Sequence, residues 1–308
     1  MIGAGYNPRV MMVDLIKSMR PHQWVKNLFV LAPLVFSQRL LELPMLSRAA
    51  FGAFLFCMVS GVVYLMNDVF DAEKDRAHPT KRLRPVASGR LPAKVAATAA
   101  GLIGLSSLAV ALWLDWRFGA VAVAYLIVNA LYSWKLKHVA FVDVSTIALG
   151  FLLRTLAGAF VIGVSLSEWL FGCTFLLALF LGLGKRKHEI LQAGDRGAEQ
   201  RRVLDNYRLE HLNYALLCVA GLTIAAYTAY ALSVSLPGQP LHPSRAPFES
   251  HWMPATIPFA VIGLFRFYML ISRSEDADSP TDRMIRDLPF LINLGLWGAA
   301  ILVMIYLD

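Results

Sequence analysis

Nine stretches of this chain are apolar for long enough to cross the roughly 30 Å of a bilayer's hydrocarbon core. They run over 25–41, 47–70, 94–114, 118–135, 142–164, 168–184, 211–235, 253–272 and 288–307. The first is short and contains Pro33, which blurs its ends. In hydrocarbon every backbone N–H and C=O must be paired inside its own element, so these spans are expected as helices. The period-two alternation of a membrane β-barrel is absent. Only 16% of the 308 residues are charged, where a soluble domain carries about 25%. Length alone would suggest about two soluble domains. The spans replace that expectation with an all-α, polytopic helical bundle, one integral-membrane domain over 1–308.

Basic residues orient the spans. Lys and Arg collect in alternate connections: Arg9 to Lys26, Lys74 to Lys94, Lys135 and Lys137, Lys185 to Arg208, and Arg273 to Arg286. These hold 23 of the 29 Lys and Arg residues, against four on the other side, Arg39, Arg48, Arg117 and Arg245. The N-terminus is therefore expected in the cytoplasm and the C-terminus outside, in a bacterial-type inner membrane. The net charge of +8 is mostly this asymmetry and requires no nucleic-acid partner. Residues 1–23 are expected on the cytoplasmic side. Within them RVMMVDLIKSMR (9–20) suits either a short helix lying on the membrane surface or a frayed basic tail. No cleavable leader is visible, since the first apolar run starts near Trp24 and lacks a small-residue exit. Cys57, Cys173 and Cys218 fall inside apolar runs without metal-ligand spacing and are expected as small core residues.

The second span ends in GVVYLMNDVFDAEKDRAHPTKRLRPVASGRLP. If the helix continues past the membrane surface, Asp68, Asp71 and Asp75 stand at i, i+3 and i+7, with Asn67 four residues before Asp71. All four then share one face. Three carboxylates on one stripe repel each other, and a divalent cation removes the conflict. Mg²⁺ takes hard oxygen ligands, usually one or two carboxylates together with phosphate oxygens and water. Pro79 then stops the helix, and Lys81, Arg82 and Arg84 follow in a loop able to fold back as phosphate donors. The plain alternative is a solvated helix end with ordinary surface charges.

NDVFDAEKD resembles the first aspartate-rich motif of the UbiA superfamily of intramembrane prenyltransferases. The resemblance implies nine helical spans around a central cavity, Mg²⁺ held by Asp68, Asp71 and Asp75, and a catalytic mouth on the cytoplasmic side. RPHQWVKN (with Lys26), DAEKDRAHPTKRLRPVASG, YSWKLKH and GKRKHE resemble one branch, the decaprenyl-phosphate phosphoribosyltransferases. That branch joins phosphoribosyl pyrophosphate to a polyprenyl phosphate, releases pyrophosphate and feeds arabinose donors for cell-wall glycans.

Ordinary members of the superfamily carry a second aspartate-rich motif after the sixth span. Here GKRKHEILQAGD stands instead, leaving Glu189 and Asp195 as acids. Lys185, Arg186 and Lys187 either form a wall for the extra 5-phosphate of the donor or simply anchor the span's cytoplasmic end. Tyr132 and Lys135, one helical turn apart in YSWKLKH, either meet a phosphate or belong to an aromatic belt with snorkelling lysines. Asp143 and Arg154 are eleven residues apart on the fifth span and share a face. Arg154 lies well inside the apolar run, where an ionisable group faces a polar cavity or a partner. Arg266 is nearer its span's end and reads as snorkelling.

No Walker A, GxSxG, HExxH or Rossmann glycine pattern occurs. His78 and His188 sit beside motifs, without metal-ligand spacing to another His. The resemblance implies glycosyl transfer at C1 of the ribose, with the metal stabilising the leaving pyrophosphate. The lipid phosphate is already anionic, so no strong general base is needed. Two other readings compete. One is prenyl transfer from a prenyl diphosphate to an aromatic or other acceptor. The other is a transporter, which leaves the acid-then-base stretch at the membrane surface unexplained.

Overall fold

The structure, a computed structural model, describes residues 8–165, 167–193, 207–235, 250–272, 283–284 and 286–307. Among these, all regular structure is helical. Eight helices are long and apolar enough to cross a membrane. Seven are α3 (Leu43–Phe70), α5 (Ala93–Leu114), α6 (Trp116–Trp134), α7 (Val142–Ile162), α8 (Glu168–Ala193), α9 (Leu209–Ser235) and α11 (Leu288–Tyr306). The eighth joins a 3₁₀ turn, Met253–Thr256, to α10 (Ile257–Ser272). Their outward residues are apolar, as lipid contact demands, and exposed Trp116 and Trp134 bracket α6. Eighteen residues of α-helix separate those rings by about 27 Å, the spacing of two interfacial aromatic belts. The protein is a multi-pass membrane protein.

The first expected span departs from the α-helical pattern. It is a 3₁₀ helix, Pro21–Leu31, followed directly by α2 (Ala32–Phe36). The cause is local. Pro33 has no N–H, so it cannot close an α-type bond onto the carbonyl of Phe29. The Ala32 N–H takes that carbonyl instead, one residue earlier.

The chain forms two compact units. The first comprises residues 1–32, 43–133 and 153–163. Its centre is α3. The buried residues Gly52, Leu55, Phe56, Val59, Val62 and Leu65 recur every three or four positions and make one stripe. Against α3 lies α5, whose buried face is small throughout: Ala96, Ala100, Gly104, Ser107 and Ala111. Small side chains let two helices approach closely where lipid offers no hydrophobic drive. The helix α1 (Pro8–Ser18) packs beside α3, placing Met11 and Leu15 against Val62, Leu65, Val86 and Leu91. The end of α7 comes so close to the 3₁₀ segment that a Cβ on Gly158 would stand 2.0 Å from the Val30 carbonyl oxygen. Only glycine fits there.

The second unit comprises residues 33–42, 134–152 and 164–308. Here α8 and α9 pair most extensively, and Phe180, Leu183, Leu212, Leu216, Phe267 and Ile271 form the core. Arg266 does not merely snorkel. It makes a two-pronged pair with Asp287, at 3.0 and 2.7 Å. Asp287 in turn caps α11 by accepting the Phe290 N–H.

The cysteines also depart from expectation. All three are free, Cys57 and Cys173 are only half-buried, and Cys218 is exposed on α9. Helices that face lipid have no need to hide a thiol.

Candidate functional site

The buried stripe of α3 ends in a carboxylate. Asp68 follows Leu65 by three residues, so it occupies the inward face and is only 2% exposed. Arg20 Nη2 donates to its Oδ1 at 2.6 Å. The Arg20 guanidinium also covers the ring of Tyr64 at 4.9 Å. Arg20 has φ 55 and ψ 65, a left-handed backbone that a non-glycine residue rarely adopts. Such strain persists only where the surroundings hold it, and it concentrates at working sites.

One helix does not carry the whole acidic motif. The α3 helix stops at Phe70, Asp71 is a turn residue, and the short helix α4 (Ala72–Arg76) carries Asp75. The α-type bonds nevertheless run on through the bend, Asp71 N–H to Asn67 O at 2.9 Å and Asp75 N–H to Asp71 O at 2.8 Å. Asp75 is therefore buried. Its Oδ2 accepts from Arg84 Nη1 at 2.6 Å, and the same Nη1 lies 3.4 Å from Asp68 Oδ1. One guanidinium corner thus stands between two carboxylates. Asp71 is half-buried at the bend. No group of three or more His, Cys, Asp or Glu side chains able to hold a metal converges among the described residues. Asn67 accepts from Ser133 Oγ at 2.8 Å, which ties the end of α3 to α6.

The basic loop folds back, as its sequence suggests. Its apolar residues Val86 and Leu91 are buried in the α3–α5 core, and Ala87 is buried beside Val86 in the chain. His78 Nδ1 accepts the backbone N–H groups of Thr80 and Lys81, at 3.3 and 3.4 Å. Pro85 restricts the residue before it to extended backbone, and Arg84 has φ −61 and ψ 145. That directs Arg84 to the carboxylates. Lys81 and Arg82, in the 3₁₀ turn before it, are exposed. Lys26 is half-buried in the Pro21–Leu31 helix.

Arg154 is buried deep within the first unit. Its Nε donates to Asn27 Oδ1 and its Nη2 to Tyr125 Oη, both at 2.8 Å. Asn27 passes the connection on to Ser60 Oγ at 3.0 Å. Tyr132 is half-buried on α6. That helix ends at Trp134, so Lys135 leaves it and the expected one-turn relation between Tyr132 and Lys135 is lost.

The second unit holds the GKRKHE stretch, on a continuation of α8 to Ala193. Arg186 is 1% exposed there, and its Nε faces Asp143 Oδ2 at 2.7 Å. It also pairs with Glu189 one turn on. Asp143 Oδ1 accepts from Tyr207 Oη at 2.5 Å, and Tyr207 Oη itself accepts the Phe141 N–H at 2.7 Å. Burial and the bond to Asp143 push the Tyr207 hydroxyl's pKa well above the usual phenol range. Asp143 thus belongs with Arg186 rather than with Arg154. Lys187 reaches Ser272 Oγ at 3.1 Å and lies over the Tyr268 ring. Lys185 is half-buried. Asp195 lies outside the described residues.

Arg20 and Tyr207 have no assigned role in the sequence reading. Arg20 is counted there as a topology charge and opens the RPHQWVKN stretch, and its left-handed backbone leaves no sequence mark. Tyr207 stands outside every motif.

Residues 28–295 match the UbiA prenyltransferase family. Over 302 residues the chain is 33% identical to a decaprenyl-phosphate phosphoribosyltransferase of Mycolicibacterium smegmatis, covering 96% of this chain and 94% of that one. A Corynebacterium glutamicum protein of the same name is 32% identical, covering 97% and 89%. The fold is similar to that of a UbiA homolog from Archaeoglobus fulgidus bound to GPP and Mg²⁺, with a TM-score of 0.70. That likeness covers 95% of this chain and 99% of the other at 18% identity. With a family match spanning most of the spans and relatives alike from end to end, the chain belongs to the UbiA prenyltransferase family.

Proposed function

We propose that this protein transfers the 5-phosphoribosyl group of phosphoribosyl pyrophosphate to a polyprenyl phosphate and releases pyrophosphate. The near-full-length likeness to decaprenyl-phosphate phosphoribosyltransferases carries this reading. The whole chain, 1–308, acts as one integral-membrane domain in a cytoplasmic-type membrane, with its N-terminus inside and its C-terminus outside.

The donor set suits Mg²⁺. Asp68 and Asp75 offer hard oxygens, and a positive guanidinium nitrogen already stands between them. Asp68 and Asp75 would hold the ion, with Asp71 reaching it from the bend. When bound, Mg²⁺ acts as a Lewis acid and offsets the charge that builds on the departing pyrophosphate.

The chain's own residues do the remaining work. Arg84 and Arg20, both bordering solvent, donate to pyrophosphate oxygens and fix the leaving group in line. Exposed Lys81 and Arg82 raise the local concentration of the polyanionic donor. Lys26, Tyr132, Lys135 and Lys185 supply further contacts to the donor or the lipid phosphate. Arg154, through Asn27 and Tyr125, and Asn67, through Ser133, hold the helices in place. Arg186 and Glu189 are so deeply engaged with each other and Asp143 that a framework role suits them best. As the C1–O bond to pyrophosphate breaks, a lipid phosphate oxygen forms the new bond to C1. That oxygen is already deprotonated, so no proton needs to be removed. Positioning and electrostatics supply the rate.

The test is purified protein in lipid with Mg²⁺, polyprenyl phosphate and radiolabelled phosphoribosyl pyrophosphate, followed by organic extraction. Label should enter the lipid phase, and EDTA should prevent it. If the protein ignores this donor and instead turns over a prenyl diphosphate with an aromatic acceptor, it is a prenyl transferase and the proposal fails. A reporter fused after the last residue should read as external; a cytoplasmic signal would overturn the orientation.

A further inference from the structure

The two arginines at the end of α3 raise a question of charge. Asp68 and Asp75 bring two negative charges and Arg20 and Arg84 two positive ones, so the foursome is neutral as it stands. A divalent cation entering alone would meet carboxylates that are already compensated. It would also need their oxygens at about 2.0–2.1 Å. Arg84 Nη1 lies at 2.6 Å from Asp75 and 3.4 Å from Asp68, so its N–H groups fill the space between them. Cation and guanidinium cannot share that place.

The side chains differ in freedom. Asp68 and Asp75 are 2% and 6% exposed, whereas Arg20 and Arg84 are 24% and 29% exposed. The carboxylates are fixed and the guanidiniums can leave. A displaced guanidinium needs an anion, and a diphosphate offers one in the two-pronged geometry that arginine prefers. Bringing cation and diphosphate together therefore restores the charge balance that either alone would upset.

Resting on the reading of Asp68 and Asp75 as metal ligands, we propose that Arg84 couples the two binding events. It holds the carboxylate pair closed before the metal arrives and passes to the diphosphate as the metal takes its place. Neither ligand binds tightly without the other. By linkage the coupling is reciprocal and measurable from either side.

The experiment follows Mn²⁺ binding by electron paramagnetic resonance on the detergent-purified full chain. Titrations are run with and without inorganic pyrophosphate, after correction for the Mn²⁺–pyrophosphate complex in solution. Wild type should bind Mn²⁺ weakly alone and at least about tenfold more tightly with pyrophosphate. Arg84→Gln removes the competing charge, so Mn²⁺ alone should bind about tenfold more tightly than to wild type. The enhancement by pyrophosphate should largely vanish. These opposite changes separate coupling from damage, since a misfolded variant would lose both. Arg90→Gln, at a neighbouring arginine that pairs with Asp14, should behave as wild type. The proposal is overturned if Arg84→Gln binds Mn²⁺ no more tightly, or if its pyrophosphate enhancement survives. If Asp68→Asn matches wild type in both titrations, the metal assignment itself is wrong, and the coupling falls with it.

Discussion

Two clusters in this molecule pair arginine with carboxylates, and water reaches them very differently. At the end of α3, the carboxylates of Asp68 and Asp75 are buried while Arg20 and Arg84 border solvent. Between α7 and α8, Asp143 and Arg186 are both essentially inaccessible, and Tyr207 and Glu189 surround them. An arginine at a water boundary can exchange one anion for another at modest cost. A fully buried one cannot, because opening the pair leaves charge uncompensated away from water. On the proposed reading, the same residue types suit a working site in one place and a frame in the other. Burial of the cation, not the presence of charge, tells them apart.

That contrast can be broken experimentally. The largest effect is expected from Asp68→Asn, which should lower turnover by about a hundred- to a thousandfold by removing a fixed charge from the leaving-group site. Thermal stability should hardly change, because Arg20 and Arg84 can hydrate once their partner is gone. Near-normal turnover would show that the α3 cluster is not the working one. Next comes Arg186→Ala, which strands Asp143 without its counter-charge and should cost about 3–5 kcal/mol of stability. The loss should appear in detergent melting curves, and Asp143→Asn combined with it should recover part of the loss. A stable Arg186→Ala protein with weakened donor affinity would instead make Arg186 a phosphate ligand, and the contrast would fail. Tyr207→Phe is the mildest change. It removes one hydrogen bond to a buried carboxylate and should cost about 1.5–3 kcal/mol, with donor affinity unchanged in a titration of phosphoribosyl pyrophosphate.

What the sequence reveals and what it conceals divide along physical lines. Span positions were legible because twenty apolar residues have few alternatives in a bilayer, and helices such as α5 and α9 fall within two residues of expectation. The folding back of the basic loop was legible because proline and charge act locally. Pairings between distant residues were not. Arg20 with Asp68, Arg186 with Asp143 and Arg154 with Asn27 each join different helices, and no periodicity encodes such a choice. The eleven-residue spacing of Asp143 and Arg154 does not say which partner each meets, Arg186 for one and Asn27 and Tyr125 for the other. The bend at Asp71 and the end of α6 at Trp134 were equally hidden, since neither is marked by glycine or proline.

The 3₁₀ segment bears on how many times the chain crosses the bilayer. A 3₁₀ helix climbs about 2.0 Å per residue against 1.5 Å for an α-helix. Eleven such residues, Pro21–Leu31, therefore rise roughly 22 Å rather than about 16 Å. The five residues of α2 add about 7 Å more. The summed rise of some 30 Å matches the depth of the hydrocarbon, with fewer residues than any of the eight longer helices uses. Winding about 3.0 rather than 3.6 residues into each turn gives a stretch that looks too brief the reach of a passage. Counted with the eight long helices, a passage there would make the total odd, and an odd total is what would put the two ends of a chain in different compartments.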